Sequence, residues 1–97
     1  MPPISCAPRM RSGNVTLVNR WGMHARLAFH FAAEAARFRC AIRLGAGGNT
    51  ADGKEIMSLL MLEAMPGDEL RLETEGGDEE AAYEALTRFL REGALLL

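Results

Sequence analysis

A single histidine stands where a strand-like pattern gives way to a helical one, and an arginine follows two residues later. In the segment Gly22-Met23-His24-Ala25-Arg26-Leu27-Ala28, the imidazole of His24 would lie beside unpaired N–H groups at the positive end of a new helix. A phosphoryl group on that imidazole would be bound by those N–H groups and by the guanidinium of Arg26. A histidine that is phosphorylated and dephosphorylated in turn is a carrier. The alternative is that His24 is an ordinary helix residue and Arg26 a solvated charge.

Length and composition favour one ordinary globular domain. The chain has 97 residues, of which 48% are hydrophobic and 25% are charged, and its net charge of −2 excludes general nucleic-acid electrostatics. No apolar stretch suffices for a membrane span or a signal peptide, so we expect a cytoplasmic protein without membrane insertion. Residues 1–13 are predicted to be a flexible lead-in, and residues 14–97 the folded domain. Cys6 and Cys40 are interpreted as free thiols.

Hydrophobic periodicity divides residues 14–97 into alternating strands and helices. We predict strands over 15–19, 38–44, 49–51 and 69–75 and helices over 24–37 and 54–65, with a third helix that begins after Asp78 as N-cap and ends at Gly93. Gly45-Ala46-Gly47-Gly48 and Pro66-Gly67-Asp68 are predicted turns. Hairpins that alternate with helices favour a two-layer α+β domain, in which helices pack on one face of an antiparallel or mixed sheet.

Several landmarks then occur in the order and at the spacing of a known family. They are Gly22-Met23-His24-Ala25-Arg26, Lys54-Glu55-Ile56-Met57, Pro66-Gly67-Asp68 and Glu75-Gly76-Gly77-Asp78-Glu79. Over residues 14–92 the chain resembles HPr, the histidine phosphocarrier of the bacterial phosphoenolpyruvate-dependent phosphotransferase system. The resemblance implies the order β-α-β-β-α-β-α, an open-faced sandwich with a four-stranded antiparallel sheet and three helices on one face.

The resemblance also implies a function and its partners. His24 would accept a phosphoryl group at Nδ1 from enzyme I and pass it to an EIIA-type domain, in sugar uptake or its regulation, with Arg26 as the phosphate partner. The chain would be a carrier rather than an enzyme, and it would need no metal and no cofactor, because the partners catalyse the transfers. We expect a monomer.

Two positions depart from the family pattern. Leu27 stands where the family usually has proline, which adds an N–H donor near the phosphate but removes the rigidity of that residue. Glu55 stands where many Gram-positive members carry a serine that a kinase phosphorylates, and Ser58 lies one helical turn away. We therefore predict no control by a serine kinase.

The second predicted helix has more apolar residues than one face can bury. Leu59, Leu62 and Met65 are predicted to face the sheet, which leaves an exposed patch for docking. The predicted docking residues are Trp21, Phe29, Ile56, Met57, Leu60 and Met61. Methionines suit a surface that binds two partners in turn. His30, which faces another side of the first helix than His24, is predicted to be a surface residue.

Two alternatives remain open from the sequence. A regulatory HPr paralogue of the nitrogen-related branch would share the phosphoryl transfer at histidine. Leu27 and Glu55, the two departures from the family pattern, favour this alternative. A small-molecule-binding α+β regulatory module, in which His24 is incidental, belongs to another class.

Overall fold

Two strands in which buried and more exposed residues alternate form the centre of the sheet. The computed structural model describes residues 9–97. Its central strands are β2 (Ala41–Ala46) and β4 (Glu69–Glu75), whose inward residues Leu44, Leu70 and Leu72 are fully buried. β1 (Met10–Thr16) pairs with β4, and β3 (Asn49–Asp52) pairs with β2, both antiparallel. The sheet order is therefore β1-β4-β2-β3.

The helices bury one face of this sheet. They are α1 (Ala25–Ala35), α2 (Ile56–Leu60) and α3 (Glu79–Arg91), and a 3-10 helix (Gly93–Leu96) follows. α1 packs against α2, and α3 lies over β1 and β4. The largest fully buried apolar side chains are Phe31, Leu17, Leu27, Ile42, Leu44, Leu59, Leu70, Leu72, Leu86 and Leu90. The predicted α+β open-faced sandwich, with four antiparallel strands and three helices, is confirmed. No helix in the described part of the chain is long and apolar enough to span a membrane.

The other face of the sheet is polar. Arg43 on β2 binds Glu73 at 3.0 Å and Glu75 at 2.7 Å, and Arg71 binds Glu73 at 3.0 Å. These arginines hold the pKa of Glu73 below its ordinary range. Met10 belongs to this face, because it is paired with Glu75 at the edge of the sheet.

The first strand begins earlier and ends sooner than predicted. β1 starts at Met10 and ends at Thr16, so residues 10–13 belong to the sheet and not to the predicted lead-in of residues 1–13. All seven residues pair with β4, from Met10 opposite Glu75 to Thr16 opposite Glu69. Residues 1–8, including Cys6, lie outside the described residues.

The second strand is shifted toward the hairpin. β2 runs from Ala41 to Ala46 rather than over 38–44, and Gly45 and Ala46 are strand residues opposite Thr50 and Asn49. Only Gly47 and Gly48 form the turn, where Gly47 has a φ of 60°. The strand starts late because the amides of Arg39 and Cys40 donate to the Asp78 carboxylate, each at 2.9 Å, and not to a neighbouring strand.

The second helix is much shorter than the predicted 54–65. α2 ends at Leu60, and Glu63 takes the left-handed conformation with a φ of 54°. Pro66 disfavours helical backbone at Met65, and the Met65 amide donates to Asp68 Oδ2 at 2.9 Å instead. Leu59 and Leu62 are buried as predicted, but Met65 is 62% exposed, so its predicted place against the sheet is wrong.

Asp78 stands before α3 as predicted but acts differently from an ordinary N-cap. Its side chain makes no capping bond to α3 and instead accepts the N–H groups of Arg39 and Cys40. These bonds, that of Arg39 above all, lower the pKa of Asp78. Cys40 is a buried free thiol, and burial, with Asp78 beside it, raises its pKa to about 11. Such a thiol is almost entirely protonated at neutral pH and is a poor nucleophile.

Candidate functional site

The chain enters α1 through two residues held against the loop that follows α2. The Met23 amide donates to the Ala64 carbonyl at 2.9 Å, and the Met23 side chain is buried. Gly22 has a φ of 72°, and a Cβ there would lie 2.5 Å from the Ala64 oxygen. Only glycine fits this approach. Residue 24 is therefore fixed in place by its two neighbours.

His24 is the N-cap of α1. Its backbone is extended, with φ −108° and ψ 175°, and its carbonyl accepts the first helical hydrogen bond, from Ala28 at 2.9 Å. The N–H groups of Ala25, Arg26 and Leu27 precede that bond and belong to the unpaired first turn. The His24 side chain makes no capping bond to them.

The two nitrogens of the His24 ring differ in environment. Nε2 is buried and has no hydrogen-bond partner within residues 9–97. An incoming group cannot reach a buried atom, so the burial of Nε2 agrees with the reaction at Nδ1 that the resemblance to HPr implies. A neutral ring that uses the Nδ1 lone pair carries its proton on Nε2.

Arg26 and Leu27 follow in the first turn of α1 with opposite burial. The Arg26 side chain is exposed and makes no salt bridge or side-chain hydrogen bond with any described residue. Its guanidinium is therefore free to bind an anion from outside. Leu27 is fully buried, so at this position the chain contributes a core side chain as well as the extra N–H donor.

Asn19 is a residue of the site region that the sequence placed at the end of the predicted strand 15–19, whereas it lies beyond the end of β1. It is 1% exposed, its Nδ2 donates to the Ala94 carbonyl at 2.6 Å, and its Oδ1 accepts the Trp21 amide at 2.8 Å. Its own carbonyl accepts the Gly22 amide at 3.1 Å. An asparagine three residues before a glycine is a recognisable turn signal, but its bond to a residue 75 positions away is not visible in the sequence.

The predicted docking residues are mostly exposed. Trp21 is 66% exposed, Phe29 55%, Met57 70% and Met61 74%. Ile56 is 37% exposed, and Leu60 is half-buried. Phe29 lies on α1 and Met57 on α2, two helices that pack together. Met61 instead lines a shallow groove with Asn49 and Thr50, beside β3. His30 is exposed, as predicted, and its ring meets the Phe29 ring edge-on at 5.3 Å.

Two polar residues near α2 have structural partners. Lys54 Nζ donates to the Phe38 carbonyl at 2.6 Å, which ties the start of α2 to the end of α1. The Ser58 hydroxyl accepts the Asp52 amide at 3.0 Å, which ties α2 to β3. Glu55 is exposed at the N-cap of α2.

A sequence profile, curated relatives and solved structures all indicate the same family. A sequence profile described as "PTS HPr component phosphorylation site" matches residues 11–92. The phosphocarrier protein HPr of Pseudomonas aeruginosa is 40% identical over 77 residues, covering 78% of this chain and 86% of that protein. HPr of Pseudomonas putida is 37% identical over 82 residues, 84% and 91% of the two chains. The crystal structure of HPr from Bacillus anthracis aligns with a TM-score of 0.80 and 34% identity, covering 84% of this chain and 96% of that one.

Proposed function

The chain belongs to the HPr family, the phosphocarriers of the bacterial phosphotransferase system, and on this premise we propose that His24 is its phosphoryl acceptor. In this proposal phosphorylated enzyme I supplies the phosphoryl group, and an EIIA-type domain receives it, in sugar uptake or its regulation. The chain is a carrier and not a catalytic enzyme. The proposal rests on one observation above all, the position of the His24 ring at the open start of α1 with Nε2 buried.

The transfer to His24 is a displacement at phosphorus. The Nδ1 lone pair of the neutral ring forms a bond to phosphorus as the bond between phosphorus and the donor group of enzyme I breaks. The donor group leaves with the electron pair of the broken bond. In the second transfer His24 is the leaving group and the EIIA-type domain supplies the nucleophile.

The residues around His24 would stabilise the charge on the phosphoryl oxygens. The N–H groups of Ala25, Arg26 and Leu27 lie at the positive end of α1, where an anion is favoured. The guanidinium of Arg26, which has no partner among the described residues, adds a charged donor that two phosphoryl oxygens can share. These groups need no metal to act.

The proposal is tested by incubating the chain with enzyme I and labelled phosphoenolpyruvate. We expect one acid-labile phosphate on the wild type, none on His24→Ala, and the full label on His30→Ala, which removes the other histidine. Labelling of Arg26→Ala should be slower by about tenfold, the effect of roughly one charge-assisted hydrogen bond. An unlabelled wild type, or label that persists in His24→Ala, contradicts the proposal.

We further propose that Trp21, Phe29, Ile56, Met57, Leu60 and Met61 contact the partner proteins. The exposure of Trp21, Phe29, Met57 and Met61 supports this role, as does the packing of α1, which carries Phe29, against α2, which carries Met57, because neighbouring exposed apolar side chains mark surfaces where proteins associate. Met57 lies on α2, the helix that packs against α1, and among these residues we expect its substitution to weaken partner binding most.

Met57→Glu should raise the KM of enzyme I for the chain by about tenfold, because a charge replaces an apolar contact at the interface. Thermal unfolding should be unchanged, since Met57 is exposed. Met10→Glu, the same substitution on the polar face of the sheet, is the matched control and should leave KM at its wild-type value. A large loss of thermal stability in Met57→Glu would show that Met57 belongs to the core and not to the interface.

A further inference from the structure

The turn in front of His24 is held by one buried side chain. Asn19 is the first residue of this turn, and its Oδ1 accepts the Trp21 amide while its carbonyl accepts the Gly22 amide. An asparagine side chain that binds the amide two residues on copies the geometry of a backbone turn and fixes it. The turn therefore has a defined shape as long as the carboxamide of residue 19 is present.

The same carboxamide joins the turn to the 3-10 helix at the other end of the sequence. Nδ2 of Asn19 donates to the Ala94 carbonyl at 2.6 Å, and both groups are buried. The Ala94 carbonyl also accepts the Leu97 amide at 3.2 Å, so the bond from Asn19 is the one that connects it to the turn. Losing a buried hydrogen bond costs free energy, so this bond holds the two segments together. The side chains of Trp21, Leu95 and Leu96 accordingly line one shallow groove.

Trp21 depends on this arrangement more than His24 does. The Trp21 ring is largely exposed, and its one cation–π contact is with Arg20, whose guanidinium carbon lies 5.3 Å from the ring centre. Its backbone is fixed by Asn19. His24 is fixed separately, by the bond from Met23 to Ala64 and by α1 itself.

We propose that Asn19 is a positioning residue: its buried carboxamide ties the Arg20–Trp21 turn to the 3-10 helix and so sets the orientation in which Trp21 meets the phosphoryl donor protein. This inference rests on the proposed function, because it assumes that a donor protein approaches His24. It assigns Asn19 to recognition of the donor, while the chemical step at His24 is left to the residues of α1.

The test measures transfer from enzyme I to Asn19→Ala. We expect KM to rise by about tenfold and kcat to stay within about twofold, because the turn loses its orientation while His24 keeps its anchors. Asn14→Ala, which removes an exposed asparagine from β1, is the matched control and should match the wild type in both constants. A fall in kcat at unchanged KM, or no change in either constant, overturns the inference.

A second readout needs no phosphoryl transfer. Trp21 is the only tryptophan of the chain, so its fluorescence anisotropy reports on the turn alone. At a temperature where all variants are folded, the anisotropy should fall in Asn19→Ala and not in Asn14→Ala, and exchange of the Trp21 amide with solvent should become faster. Loss of thermal stability without these two changes would make Asn19 a merely structural residue and overturn the inference.

If Asn19→Ala does not fold, Asn19→Asp takes its place. This isosteric variant keeps the acceptor for the Trp21 amide but has no donor for Ala94 at neutral pH. We expect a smaller rise in KM, about threefold, with kcat unchanged, and a wild-type KM overturns the inference. The two proposals fail separately: an unlabelled wild type overturns both, whereas a labelled wild type with an unchanged KM in the Asn19 variants overturns only the role of Asn19.

Discussion

Helices α1 and α3 begin with opposite electrostatics. The first turn of α3 contains Glu79 and Glu80, and Asp78 stands just before it. The first turn of α1 contains no acidic residue, its N-cap is His24, and Arg26 adds a positive charge. Both helices have the same backbone dipole, and both leave N–H groups unpaired at their first turn.

The difference separates a structural helix start from one that is open to a ligand. At α3 the chain supplies its own negative charges: Asp78 binds two amides, and Glu79 and Glu80 lie in the first turn. The Thr74 hydroxyl donates to the Glu79 carbonyl at 2.8 Å, while Glu79 Oε1 is buried without a hydrogen-bond partner among the described residues. At α1 the chain supplies no anion, so the positive end is available to one that arrives from outside. For a phosphocarrier, the missing acidic residues of α1 are as informative as the histidine.

The importance of the missing acidic residues is tested by giving α1 the charge pattern of α3. Ala25→Glu should slow phosphorylation of His24 by about tenfold or more, because a carboxylate in the first turn repels the phosphoryl group and competes for the same N–H groups. Relative to the neutral Ala25→Gln, it should also stabilise the fold by about 0.3–1 kcal/mol through the helix dipole. Labelling rates and thermal unfolding measure the two effects.

Ala81→Glu is the matched control, because it places the same charge in the third residue of α3. We expect its labelling rate to equal that of the wild type, which separates a local effect at α1 from a change in the total charge of the chain. Equal rates for Ala25→Glu and Ala25→Gln would show that the absence of acidic residues from α1 has no part in transfer.

Asp78→Asn tests whether the polar contacts before α3 are purely structural. An asparagine has one acceptor oxygen where the carboxylate has two, so one of the amides of Arg39 and Cys40 loses its partner. We expect Tm to fall by about 5 °C at neutral pH, with phosphorylation of His24 unchanged.

The lowered pKa of Asp78 predicts how the difference in Tm between the wild type and Asp78→Asn depends on pH. The Arg39 and Cys40 amides bind the ionised carboxylate in the folded state, so its stabilising effect is complete above the ordinary value of 3.8 and is lost as pH falls through the lower folded pKa. The gap in Tm between the wild type and Asp78→Asn should therefore close on acidification. A gap that widens at low pH would contradict this account.

The sequence predicted elements well where a short segment determined its own structure. The alternation of polarity over 69–75 predicted β4 with its observed bounds, because the inward residues Leu70 and Leu72 alternate with charged outward residues. The start of α1 was predicted within one residue, since a glycine turn and an alanine-rich helix meet there. The resemblance to HPr supplied the antiparallel arrangement of four strands, which periodicity had left open, but the strand order β1-β4-β2-β3 comes from the structure alone.

It predicted elements poorly where distant residues decide the structure. Residues 10–13 carry little strand signal, and they become a strand because β4 offers each of them a pairing position, from Met10 opposite Glu75 to Gly13 opposite Leu72. The predicted second helix was too long because its apolar pattern continues to Met65, whereas Pro66 and the bond from Met23 to Ala64 turn the chain earlier. Within the site, the burial of His24 Nε2 and the bond from Asn19 to Ala94 depend on packing between segments far apart in the sequence.

The pairing of β1 with β4 also has a consequence for synthesis of the protein. Within the part of the chain that the structure describes, β1 pairs with no strand other than β4, so most of the chain must be synthesised before β1 is paired. Contacts between segments so distant in sequence form late. A growing or truncated chain therefore contains His24 before the sheet that supports α1 is complete, and under the proposed function we expect it to accept a phosphoryl group only once β4 has been synthesised.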